Sequence, residues 1–90
     1  MTNRQIYLKR NAIIRYLVNQ MNYWENENGV IANYIRNYLR LSEEPLNEII
    51  EEINQDIKQT AKLKDLFINT ALKLIKIEVE RYINYQPKNK

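Results

Sequence analysis

Ninety residues with one Gly, two Pro and 44% hydrophobic side chains leave little room for a turn-rich β fold, and the composition reads as one all-α domain. The chain has neither Cys nor His, which excludes a disulfide framework, thiolate chemistry, the commonest zinc ligands and the usual general base at neutral pH. The net charge of +3 is modest but laid down in blocks, +4 over residues 1–41, −6 over 42–57, +4 over 58–77 and +1 over the remainder, which predicts acidic and basic neighbours that neutralise one another in the fold.

A first helix is expected over about 3–25. Ile6, Ile13, Leu17, Met21 and Trp24 recur at helical steps on one stripe, with Arg10 projecting from its middle. Arg4, Asn11, Arg15, Asn19 and Asn22 occupy the opposite arc, and Asn28-Gly29 is expected to supply the left-handed residue that ends the helix. A second helix follows at about 30–41, burying Ile31, Tyr34, Ile35, Tyr38 and Leu41 and turning Asn33, Arg36, Asn37 and Arg40 outward. So short a connection predicts an αα-hairpin or corner.

Ser42-Glu43-Glu44-Pro45 reads as the start of a third helix, about 42–59, with Ser42 as N-cap and Pro45 in the first turn. Its apolar stripe of Leu46, Ile49, Ile50, Ile53 and Ile57 is narrow, and its outer face stacks Glu44, Glu48, Glu51, Glu52 and Asp56. Like charges one turn apart cost an isolated helix about 0.2–0.5 kcal/mol per pair, so basic side chains are expected beside them. Between Gln59 and Asp65 the apolar phase slips with no Gly or Pro to mark a break. A turn at 60–64 is preferred to a single rod of some 44 residues, because globular helices usually run to about 8–20.

The fourth helix, about 63–85, is apolar almost all round. Leu63, Leu66, Phe67, Ile68, Ala71, Leu72, Leu74, Ile75, Ile77, Val79 and Tyr82 cover most of the wheel, leaving Asn69, Lys73, Lys76 and Glu80 in a narrow polar arc. Such a helix is expected at the centre of a compact bundle of three or four antiparallel helices. Three short partners can hardly cover it, so a homodimer is expected, with Phe67, Leu74, Ile75, Ile77 and Tyr82 at the interface. Residues 86–90 read as a frayed tail.

Three constellations carry the functional reading. Arg4, Arg15, Arg36 and Arg40, interleaved with Asn33 and Asn37, form a candidate nucleic-acid face, although a solvated polar face in an Asn-rich chain explains them as well. Glu44, Glu48, Glu51 and Glu52 form a candidate partner face should no internal cation cover them. Tyr16, Tyr23, Tyr34, Tyr38 and Trp24 gather towards the first turn, either closing the bundle or anchoring a partner. Arg10 and Glu78 are charges in apolar stripes that either pair or reach the rim.

With a single Ser, which the helix-cap reading accounts for, no catalytic group, cofactor or metal is expected. Charged residues throughout the fourth helix argue against a membrane span, and the charged start of the chain argues against a signal peptide, so a cytoplasmic protein is expected. Asn and Ile at 13 each and Tyr at 7 fit the codon bias of a low-GC bacterium or a virus. The expected function is a small regulatory or inhibitory binding module acting through an unknown protein partner. A nucleic-acid-binding subunit is the alternative, and a bundle-type immunity protein a third.

Overall fold

Helix boundaries in this chain are set by side-chain caps at Asn28 and Asp65 and by the ring of Pro45. The computed structural model describes residues 3–85, so the tail at 86–90 lies outside the described residues. It contains α1 (Asn3–Glu27), α2 (Gly29–Arg40), α3 (Leu46–Lys62) and α4 (Leu66–Asn84), and no strand among the described residues. The fold is an all-α bundle, elongated to 46 × 24 × 23 Å.

Between α1 and α2 stands one residue. Asn28 is extended, and its side-chain oxygen accepts from the amides of Val30 at 3.0 Å and Ile31 at 3.4 Å. It therefore caps the start of α2, while Gly29 is that helix's first residue and has no positive φ. The expectation that this pair ends α1 in a left-handed residue is thus corrected: an Asn side chain can satisfy orphan amides as well as tolerate a left-handed backbone, and here the amides win.

Ser42 does not cap α3. Helix α3 begins at Leu46, with Pro45 at the cap position and no side-chain cap bond. A start at Ser42 would require Glu44 to be helical immediately before a proline, a conformation the proline ring disfavours. Residues 41–44 instead form turns whose carbonyls at Ser42 and Glu44 accept from the Arg10 guanidinium, the latter at 2.6 Å. Arg10 therefore neither pairs with Glu78 nor reaches free solvent, but ties the middle of α1 to the α2–α3 connection.

The chain reverses at 63–65, as the phase slip predicts. Lys64 is left-handed, with φ at 59°. Its amide bonds to Ala61 O at 3.1 Å and that of Asp65 to Thr60 O at 3.0 Å, the paired bonds of a Schellman ending. Glycine usually fills this position, so a lysine there left no mark in the sequence. Asp65 then caps α4 by accepting from the Ile68 amide at 3.2 Å.

Helix α1 packs mainly on α2, and α3 on α4, so the bundle is two hairpins joined more lightly. The core draws on all four helices, with Ile13 and Leu17 of α1, Ile31, Ile35 and Tyr38 of α2, Ile49 and Ile53 of α3, and Leu72, Ile75 and Val79 of α4 at its centre. Polar contacts also bridge the hairpins. Tyr38 donates to Asp56 at 2.7 Å from within the core, and Lys9 donates to Ile83 O at 2.6 Å in the last turn of α4. Burial raises the Tyr38 phenol far above its ordinary range, with the Asp56 hydrogen bond and charge adding to the effect. Burial also raises the Asp56 carboxyl, against the opposing pull of the Tyr38 hydrogen bond.

Helix α4 is not innermost. Its apolar circumference divides into a buried half, with Ile68, Ala71, Leu72, Ile75 and Val79, and an exposed half with Leu66, Phe67, Leu74 and Ile77. The expected polar arc divides too. Asn69 is buried against α3, donating to Ile57 O at 2.9 Å and to the Thr60 hydroxyl at 3.2 Å. Thr60, also buried, turns its own hydroxyl onto the carbonyls of Asp56 at 2.9 Å and Ile57 at 3.1 Å.

Two stability measurements check this description. Lys64→Gly removes a left-handed non-glycine residue and is expected to raise the free energy of unfolding by about 1 kcal/mol in denaturant titrations; unchanged or lower stability would contradict the turn. For Asp56, a folded-state pKa above the unfolded value means that the folded chain holds the proton more tightly, so stability falls as pH rises from 3.8 through the raised value. Asp56→Asn keeps an acceptor for Tyr38 and abolishes this slope. The stability of the variant minus that of the wild type should therefore rise as pH rises through that window, and a difference that falls or stays constant would refute the assignment.

Candidate protein-docking surface

Capped by Asp65 and held to α3 through Asn69, α4 keeps one rotation about its axis. That rotation sends Leu66, Phe67, Leu74 and Ile77 outward at 74, 60, 62 and 55% exposure, with Leu63 of the preceding turn at 65%. Isolated exposed leucines are ordinary, but several large apolar side chains exposed along one side of a helix make this face the candidate interaction surface.

The end of α1 extends this surface. Trp24 packs edge-on against Phe67, with ring centroids 5.9 Å apart, and Tyr23 packs edge-on against Trp24 at 4.9 Å. Trp24, Leu66, Phe67, Thr70, Ala71 and Leu74 line a shallow apolar recess where α1 meets α4. A second recess lies further along the same two helices, lined by Leu8, Lys9, Ala12, Tyr82 and Tyr85. Between them Tyr16 leans on Tyr82 at 5.9 Å. Burial pushes the Tyr16 hydroxyl up to about 12, with the charge of Glu78 and the neighbouring Tyr82 adding to it.

The five residues expected at an oligomer interface separate. Phe67, Leu74 and Ile77 lie on the exposed surface, Tyr82 is half-buried against Tyr16, and Ile75 belongs to the core at 2% exposure. Ile75 is therefore corrected from interface to core, because the rotation fixed by Asn69 turns it inward. Leu66, the most exposed large apolar side chain on α4, was missed, and Trp24 was expected only in the aromatic cluster at the first turn, as a bundle closer or a partner anchor. The wheel showed both as apolar but could not tell an outward apolar residue from an inward one.

The aromatic cluster expected at the first turn is dispersed. Tyr38 is in the core on Asp56 and Tyr16 leans on α4, while Tyr23 and Trp24 join Phe67. Glu78 pairs with Arg81 at 2.8 Å on its own helix.

Among the candidate nucleic-acid residues, Arg4, Arg15, Asn33, Arg36, Asn37 and Arg40 are all exposed. Arg36 is occupied, donating to Glu25 at 2.5 Å and to Asn33 at 2.6 Å. On the acidic side, Glu44, Glu48 and Glu51 are exposed and Glu52 is half-buried, and none of the four forms an ion pair with a described residue. The expected internal neutralisation is not found. Of the first block's cations, Lys9 and Arg10 are engaged on backbone carbonyls and Arg36 on Glu25, while Arg4, Arg15 and Arg40 form no ion pair with any described carboxylate.

Among the described residues no helix is long and apolar enough to cross a membrane, and no three His, Cys, Asp or Glu side chains come together to hold a metal ion. Comparison with protein-family models, with curated proteins and with solved structures finds no match.

Proposed function

We propose that this protein is a small, non-catalytic binding module, regulatory or inhibitory in effect, that docks another polypeptide on the apolar surface formed by α4 and the end of α1. One observation carries the reading: α4 buries an asparagine while leaving two leucines, a phenylalanine and an isoleucine more than half exposed. A helix that is apolar on its outer side as well as its buried one has a second surface to satisfy. The recess beside Trp24 supplies the aromatic setting in which binding energy usually concentrates.

The nucleic-acid alternative draws on Arg4, Arg15 and Arg40, exposed and without a partner among the described residues. Against it stands Arg36 of that face, whose charge is met by Glu25. A carboxylate on a phosphate-binding face repels the ligand it would serve.

Affinity capture from lysate separates the two. Leu66→Asp with Ile77→Asp, both at exposed positions, should leave the melting temperature within a few degrees of wild type. The same pair should abolish retention of protein partners, and nuclease treatment should not. Arg36→Ala with Arg40→Ala should leave capture unchanged. Nuclease-sensitive retention, lost with the arginine pair and steeply weakened by salt, would overturn the proposal in favour of the alternative.

A further inference from the structure

Phe67, Thr70, Leu74 and Ile77 follow one another on the outer side of α4 at steps of three, four and three residues. Steps of this kind make a seam along which one helix packs on another. This seam has a further property, in that its spacing reads the same in both directions. A two-fold axis crossing α4 at the level of Leu72 lays the seam on itself, placing Phe67 beside the partner's Ile77 and Thr70 beside the partner's Leu74. An interface that maps onto itself is what a symmetric dimer requires.

Charge selects the direction. Beyond the seam's N-terminal end lie Lys62 and Lys64 with the capping Asp65; beyond its C-terminal end lie Glu78 and Glu80 with Arg81. Lys62, Lys64 and Glu80 form no ion pair with any described residue. Antiparallel packing sets the lysine-bearing end of one helix against the carboxylate-bearing end of the other, whereas parallel packing sets like against like. We infer that a second copy of this chain covers the outer face of α4, antiparallel, about a two-fold axis near Leu72. The inference rests on the docking reading above and names its occupant.

Size sets the strength. Five large side chains at half to three-quarters exposure offer on the order of 500 Å² per copy, or about 1,000 Å² in all, the lower bound for a specific interface. An interface at that bound belongs with weak, transient contacts, so the dimer responds to the concentration of the chain. The two-fold axis also brings Lys73 near its own copy, the one like-charge approach in the arrangement, and a flexible, exposed lysine can bend away from it.

The chain has no native cysteine, so single-cysteine variants of the full chain report the geometry directly. Sedimentation from micromolar to sub-millimolar concentration should show a monomer–dimer equilibrium, and Leu74→Asp should raise its dissociation constant about tenfold or more without lowering the melting temperature. Under mild oxidation Lys73→Cys should form a disulfide dimer readily. Asn84→Cys should not, because in this register it lies 12 helical residues from the axis level, about 36 Å from its own copy at ~1.5 Å per residue. Equal cross-linking at both positions would overturn the antiparallel arrangement. A monomeric mass at every concentration would overturn self-pairing altogether. In that case retention of a lysate protein that Leu66→Asp with Ile77→Asp abolishes would leave the docking reading standing, and absence of such retention would end both.

Discussion

The buried contact between Asn69 and α3 is the constraint on which the proposed docking surface depends. An amide in a core needs its hydrogen bonds, and leaving one unmade costs about 1–3 kcal/mol. Asn69 finds its partners only at Ile57 O and the Thr60 hydroxyl, both on the last two turns of α3. A helix apolar on nearly every side could sit in several rotations with similar burial, and apolar contacts alone would discriminate weakly among them. One asparagine chooses the rotation, and the choice commits Leu72, Ile75 and Val79 to the core and Leu66, Leu74 and Ile77 to the outside.

The two hairpins meet lightly, and polar side chains reaching backbone or carboxylate acceptors hold their relative placement. Arg10 grips the connection between α2 and α3, Lys9 closes a carbonyl at the end of α4, and Tyr38 spans from α2 to Asp56 of α3. Hydrogen bonds of this charged kind contribute about 1.5–3 kcal/mol each, comparable with burying one large apolar side chain. Leaving α1 and α4 in shallow contact has a consequence for binding, since the seam between them stays open as two apolar recesses with Trp24 at one end and Tyr82 at the other.

The four helices and their stripes were legible from periodicity, and so was the break near 63, because burial of one face imposes a period that composition cannot disguise. What periodicity could not show was direction. It marks a residue as apolar or polar but not as inward or outward, so Asn69 was placed with the solvated lysines and Ile75 at an interface. Cap residues failed for a related reason. Ser42 and Asn28 each had more than one backbone role open to them, and the winner was decided by Pro45 behind one and by the free amides of α2 ahead of the other. The acidic face of α3 was legible as a face, yet that none of its carboxylates pairs with a described cation depends on where the helices set Arg4, Arg15 and Arg40, which no local pattern encodes.

Hydroxyl-radical footprinting read by mass spectrometry, at a concentration low enough to keep the chain monomeric, tests the rotation of α4 most directly. Leu66, Phe67 and Leu74 should be modified strongly while Leu72, Ile75 and Val79 stay protected until the protein unfolds. Equal protection of both sets, or stronger modification of Leu72 and Ile75 than of Leu66 and Leu74, would contradict it.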